Sequence, residues 1–302
     1  LALRALKNRL TVDIPKVLIP TISFVATVNA VYEAGCLPVF CDVDTNGLMD
    51  LDQVKNLDSI DIIMFVNLYG NVVDCDKLQL VNQFFGRSVP TIEDAAQSFG
   101  ATYNGRPSGS LGDISVLSFD PTKNLSNYGS GGMVLTDDQG MYEALLDLRD
   151  NGKHYQHHHA GTNSKMSEAD SACMLVKLKY FEEWQRRRTE IAEYYTSVLG
   201  NVVHVALPTV DEGVTHAWHK YVIRVGSRSA MQGYLASKGI ETKIHYERPL
   251  HELDGAFRKY PGPDMLAVAS SLSRRVLSLP LYPELTDLEV EYIIDQVKDC
   301  VS

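Results

Sequence analysis

The sequence predicts an α/β fold: a mostly parallel sheet with helices on both faces, followed by a smaller α+β unit. Three observations predict it. The first half holds six short apolar runs that are continuous rather than alternating, as strands buried on both faces are. Helical patterns separate several of them, the order expected of a doubly covered parallel sheet. The chain has 302 residues with an ordinary globular balance, 45% hydrophobic and 22% charged, enough for one large unit and one smaller.

The elements follow in order. Leu3, Leu6 and Leu10 share a helical face, so a helix is expected already under way at the first residue, with a further segment upstream. K-V-L-I-P (16–20) is the first strand, and a helical pattern covers Val25–Ala34. L-P-V-F-C-D-V (37–43) and D-I-I-M-F-V-N-L (61–68) are the next strands, with a helix over Asp74–Phe85. V-P-T-I-E (89–93), I-S-V-L-S-F (114–119) and G-M-V-L-T (132–136) complete the set. A long helix is expected from Ser167, where S-E-A-D offers a capping-box-like start, to Leu199, with room for a break. K-Y-V-I-R-V (220–225) reads as a strand of the smaller unit. The last helix starts at the capping box Thr286-Asp-Leu-Glu, and Val290, Ile293, Ile294, Val297 and Val301 form its apolar stripe. The expected division is 1–176 for a large domain and 177–302 for a linking helix with a small C-terminal domain.

The bulk chemistry excludes some functions. A net charge of -10 argues against a nucleic-acid footprint. No run is long enough to span a bilayer, and no cleavable signal pattern stands at the front. The five cysteines, Cys36, Cys41, Cys75, Cys173 and Cys300, form no C-x-x-C pair, which suits free thiols in a cytoplasmic protein. His154, His157, His158 and His159 lie close together without an acidic or cysteine partner at ligand spacing, so no metal site is expected.

The stretch from Thr91 to Thr136 carries the chemistry. Asp94 closes one apolar run, Lys123 follows another, and Gly129, Gly131 and Gly132 lead into a third. Ligands of open parallel sheets sit beyond the carboxyl ends of the strands. An acid and an amine there suit pyridoxal phosphate: the acid pairs with the ring nitrogen and the amine bonds to the aldehyde. Each residue also has a plainer reading, Asp94 as a helix cap and Lys123 as a surface lysine.

The fragments E-D-A-A-Q-S, G-S-L-G-D, S-F-D-P-T-K and G-S-G-G-M-V-L-T resemble the DegT/DnrJ/EryC1/StrS family, sugar aminotransferases of the aspartate-aminotransferase fold (fold type I). I-P-T-I-S-F-V-A-T-V-N-A-V, P-V-F-C-D-V-D, G-T-N-S-K-M-S-E, K-I-H-Y-E-R-P-L-H and S-L-P-L-Y-P-E-L-T extend the resemblance over almost the whole chain. It implies transamination of a keto group on a nucleotide-linked sugar, with glutamate the amine donor. Two segments, G-K-H-Y-Q-H-H-H-A-G-T-N-S-K-M and T-K-I-H-Y-E-R-P-L-H, look closer to the branch that aminates at C3 than at C4.

The resemblance also assigns residues. Lys123 is the catalytic amine. Asp94 pairs with the ring nitrogen, Gln97 contacts the ring hydroxyl and Ser118 the phosphate. Phe24 stacks on the ring, although a core aromatic is the competing reading. Asn163 reaches the phosphate of a neighbouring subunit, which implies a homodimer with a shared site. His159 lies near substrate, His245 and Tyr246 line the sugar pocket, and Arg248 contacts the diphosphate or is a solvated arginine. The sequence departs from the family in three places. No S-G-T-type turn, a phosphate anchor, stands before the opening helix, Ser130 replaces a usual acid, and Lys165 replaces a usual arginine. Two other readings remain open: a catalytically silent or regulatory relative, and a family dehydratase, against which Lys123 speaks.

Overall fold

The computed structural model describes residues 1–54, 59–157, 160–253 and 266–301. Four strands come first, β1 (Lys16–Pro20), β2 (Leu37–Cys41), β3 (Ile62–Val66) and β4 (Thr91–Asp94). A short pair follows, β5 (Thr102–Tyr103) and β6 (Arg106–Pro107), then β7 (Ile114–Ser118) and β8 (Gly132–Leu135). The main sheet has the order β2-β1-β3-β4-β7-β8. All its pairings are parallel except β7 with β8.

The continuous apolar runs have the expected cause. Successive side chains of a strand point to opposite faces, and here each face has its own core. Leu18, Ile63 and Phe65 pack on one side with Leu78 and Val81 of the helix Cys75–Phe84. Val17, Ile19, Ile62, Met64, Ile92 and Ile114 pack on the other. There they meet the helices Ala2–Lys7, Ala26–Glu33 and Gln139–Arg149.

Two strands stop earlier than the apolar pattern does, for identifiable reasons. Asp42 leaves the sheet to accept the amides of Val268 and Ala269 at 3.0 and 2.8 Å, at the start of the helix Ala267–Ser273. Asn67 turns its amide to Glu93 at 2.8 Å, and the chain enters the tight turn Leu68–Gly70.

The rest of the strands are β9 (Val205–Ala206), β10 (Val214–Thr215), β11 (Tyr221–Val225) and β12 (Val276–Leu279). β12-β11-β9 form an antiparallel sheet, and β10 pairs with β5. The helices Phe181–Leu199 and Asp287–Val301 cover this second sheet. Ile191, Tyr195 and Leu199 meet Val290, Ile293, Ile294 and Val297 in a separate core. Both expected caps form. Ser167 accepts the amide of Asp170 at 3.1 Å, and Thr286 and Glu289 exchange bonds as a capping box.

The long helix expected after Ser167 is two, Glu168–Leu178 and Phe181–Leu199. The break seats the Phe181 ring edge-on against Phe99, with centroids 4.9 Å apart. A Cβ on Gly100 would lie 2.7 Å from that ring, and Gly100 has φ +94° besides, so glycine is required there. No helix among the described residues is long and apolar enough to cross a membrane.

Candidate active site

Asp94 ends β4 in register with Val66, the last residue of β3, and with Val116 of β7, so its carboxylate emerges at the carboxyl edge of the parallel strands. One oxygen accepts the Ala96 amide at 3.1 Å, and the other accepts the Thr27 hydroxyl at 3.2 Å. Burial pushes this carboxyl above its usual range, and the Ala96 amide, the Lys123 charge and the Thr27 hydroxyl oppose that rise.

Lys123 follows β7 in a turn closed by its own amide to the Asp120 carbonyl at 2.9 Å. The Asp120 carboxylate takes the Thr122 amide at 3.0 Å and hydroxyl at 2.8 Å, which fixes the turn and holds that acid below its usual range. Burial lowers the Lys123 ammonium, against the attraction of Asp94 and Asp120. The two functional groups thus feel each other across one space.

That space is a cavity of about 790 Å³, and Phe24, Asp94, Gln97, Ser118 and Lys123 all line it. Phe24 is 54% exposed, which decides against a core aromatic and leaves its ring free at the cavity wall, 6.2 Å from the Tyr246 ring. Gln97 is buried and doubly held: its oxygen accepts the Tyr69 amide at 2.9 Å and its amide donates to the Tyr246 hydroxyl at 3.0 Å. Among the described residues, Ser118 keeps only a weak 3.4 Å contact from the Asp120 amide, which leaves its hydroxyl with spare capacity.

A second wall comes from later in the chain. His219, Lys220, Lys243, His245 and Tyr246 line the same cavity. The segment bearing His219 and Lys220 is laid along the turn Leu68–Gly70: Ala217 donates to the Gly70 carbonyl at 2.7 Å and Lys220 to the Tyr69 carbonyl at 3.1 Å. A Cβ on Gly70 would come within 2.8 Å of the backbone nitrogens of Trp218 and His219, so this contact demands glycine. The Tyr69 hydroxyl donates to the His245 carbonyl and fixes the other segment. The His245 ring contacts the Ser278 hydroxyl at 2.8 Å, and burial with nearby lysines lowers its pKa to about 4.

Two expected residues lie elsewhere, and a third is not among the described residues. Asn163 is exposed, in a bridge with Asp150, and is not on the cavity wall of its own chain. Arg248 is exposed and donates to the Glu252 carbonyl at 2.6 Å, also off the wall. His159 lies outside the described residues. The sequence reading missed Thr27, Lys220, His219 and Lys243. Only Thr27 carried a signal: it lies three residues after Phe24, one helical turn on.

Comparison with known proteins agrees with this geometry. A pleiotropic regulatory protein of Geobacillus stearothermophilus is 34% identical over 292 residues, 94% of this chain and 78% of its own length. A dTDP-3-amino-3,6-dideoxy-alpha-D-galactopyranose transaminase of Aneurinibacillus thermoaerophilus is 36% identical over 288 residues, 93% of this chain and 78% of its own. The crystal structure of S. venezuelae DesV in complex with a ketimine intermediate superposes with a TM-score of 0.93 at 31% identity, over 100% of this chain and 82% of that one. Residues 1–298 match the model of a family described as DegT/DnrJ/EryC1/StrS aminotransferases, and at that extent the chain belongs to this family.

Proposed function

We propose that the protein transfers an amino group from glutamate to a keto carbon, at C3, of a nucleotide-linked sugar, using pyridoxal phosphate. One observation carries the reading: Asp94 and Lys123, at the ends of adjacent parallel strands, face a single cavity of about 790 Å³. The residues fit the cofactor. The wall offers a carboxylate for a ring nitrogen, an amine for an aldehyde, an exposed aromatic face and a hydroxyl with spare capacity.

When bound, the cofactor supplies an aldehyde to carry the amino group and a ring that accepts electrons from the reacting carbon. Asp94 would bind the ring nitrogen and keep it protonated. Lys123 Nζ would hold the cofactor by its aldehyde, and the same amine would serve as proton carrier. It then takes the proton from the α-carbon of glutamate and, in the second half, delivers one to the sugar carbon that loses its oxygen as water. Burial that lowers the Lys123 pKa raises the neutral fraction of this amine, the form a general base needs. Gln97, held by Tyr69 and Tyr246, presents polar atoms to the ring edge, and Ser118 serves the phosphate.

The finer reading has a homodimer in which Asn163 serves the neighbouring copy's site. Its exposure away from its own cavity supports that role. Residues 1–176 carry the cofactor, and 177–302 supply the covering wall. Five free thiols suit the cytoplasm. The alternative is a silent or regulatory relative: one relative is named a pleiotropic regulatory protein, while others are named transaminases, which supports the enzymatic reading.

Spectroscopy of the purified protein with pyridoxal phosphate separates the two. A visible absorbance band that borohydride bleaches, and that glutamate converts to the amine form of the cofactor, is the expected result. No band and no response to glutamate would sink the aminotransferase reading.

A further inference from the structure

His219 is only 5% exposed, and it borders the principal cavity. One edge of its ring is fixed: Nδ1 lies 3.1 Å from the side-chain oxygen of Asn124, the residue after Lys123. The other edge carries Nε2, which has no hydrogen-bond partner among the described residues and opens onto the cavity. We propose that His219 is a specificity-determining residue, whose Nε2 accepts a hydrogen bond from a sugar hydroxyl flanking the keto carbon. This rests on the nucleotide-sugar reading above and deepens it, by stating that the site selects sugars that retain such a hydroxyl.

The position of one hydrogen decides what Nε2 can bind. The Asn124 carboxamide has a single workable orientation. Its nitrogen donates to the Ala217 carbonyl at 2.7 Å, and the Gln185 side chain donates to the same carbonyl at 3.0 Å. Turned over, the carboxamide would set its oxygen against that carbonyl oxygen. The Asn124 oxygen therefore faces His219, and only a hydrogen on Nδ1 satisfies it. Burial, with the Lys220, Lys123 and Arg188 charges nearby, holds the ring neutral, so it carries one hydrogen. With that hydrogen on Nδ1, Nε2 is a bare acceptor in a largely enclosed place, where an unmatched polar atom is costly.

Such a nitrogen selects by chemistry. It disfavours a carboxylate or phosphate oxygen, which is an acceptor too, and it favours a hydroxyl, which can rotate to aim its hydrogen. Place narrows the choice. Lys123, which works at the keto carbon, is the chain neighbour of Asn124 and lines the same cavity as His219. The donor therefore belongs to a group beside that carbon, and for a sugar aminated at C3 it is the hydroxyl at C2 or at C4. Asn124 is the positioning residue of the pair. It ties the turn that carries Lys123 to the segment that carries His219.

Two measurements test this. The first is nitrogen NMR of the holoprotein with labelled histidine. His219 should show a hydrogen on Nδ1 and none on Nε2. The other deeply buried ring, His216, has the opposite pattern, because its Nδ1 accepts the Trp218 amide at 2.8 Å, so the two are distinguishable. Adding a dTDP-linked 3-keto-6-deoxyhexose should shift the Nε2 signal of His219. The second is turnover with glutamate of that sugar against its 2-deoxy and 4-deoxy counterparts. The parent should prefer the full sugar to one of the two by about tenfold to a hundredfold in kcat/KM, and that one identifies the hydroxyl. His219→Asn keeps a nitrogen donor for Asn124 and removes the acceptor, so the preference should disappear. The first measurement needs no variant and stands even if His219→Asn does not fold.

A hydrogen on Nε2, an Nε2 signal indifferent to the sugar, or a parent that treats all three sugars alike overturns this role for His219. So does a preference that survives in His219→Asn. A protein whose cofactor ignores glutamate fails the functional reading instead, and the response of Nε2 to the sugar still decides the role of His219.

Discussion

The two walls of the principal cavity are built in different ways. The first is made of strand ends. Asp94 ends β4 and Lys123 follows β7 in the turn at Asp120, so the parallel register Asp94 to Val116 and that turn together place one relative to the other. The second wall, His219–Lys220 and Lys243–Tyr246, is held by contacts between distant parts of the chain. These include the Ala217 amide on Gly70, the Lys220 amide on Tyr69 and the Tyr69 hydroxyl on His245. A backbone ladder fixes the first wall before any ligand arrives. The second depends on how the C-terminal part settles on the turn Leu68–Gly70. The difference suggests a division of labour, with bond chemistry on the rigid wall and recognition on the assembled one.

Replacing Lys123 tests that division most severely. Lys123→Ala should lower turnover by about a thousandfold or more, in line with the loss of a positioned general base, and should abolish the covalent attachment that borohydride traps. The melting temperature should not fall, because burial already works against the charged amine. Lys220 lies on the other wall of the same cavity. If peptide mapping of the variant found the trapped cofactor on Lys220 and turnover persisted, the chemistry would not belong to the strand ends.

Asp94→Asn gives a smaller loss of turnover, about a hundredfold, as expected when a fixed charge opposite a developing one is removed. It also makes a prediction about pH. The folded-state pKa of Asp94 is raised above 3.8 by burial. The stability it contributes is therefore complete below 3.8 and is lost as pH rises through the raised value. Asparagine does not titrate, so the apoprotein variant should melt no lower than the parent at pH 7, and any advantage should vanish in acid. A variant that melts lower at pH 7 would show that Thr27, Ala96 and Lys123 outweigh burial and hold a preformed anion.

The same contrast explains what the sequence revealed. Parallel strands covered on both faces leave continuous apolar runs, so β1 to β4 and β7 were readable, and a residue just past a run lies at the ligand-binding edge. Asp94 and Lys123 were found for that reason, and Ser118, His245 and Tyr246 through resemblance. Lys220 opens an apolar run and reads as an ordinary strand residue; nothing local says that Gly70 lets its segment approach. Strand ends were misjudged where a polar residue leaves the ladder for a distant partner. Asp42 does so for the amides of Val268 and Ala269, more than two hundred residues away.

Asn163 belongs to neither wall and offers the smallest expected effect on the single chain. It is exposed, so Asn163→Ala should change stability by no more than about 0.5 kcal/mol. If a second copy uses this side chain, the variant should lose its cofactor on dialysis faster than the parent does, while sedimentation shows the same assembly state. Two sites would then be completed across one interface, and a third wall, contributed from outside the chain, would join the two described. Equal retention after extended dialysis would confine the site to a single chain, and strand ends and settled segments would suffice for it.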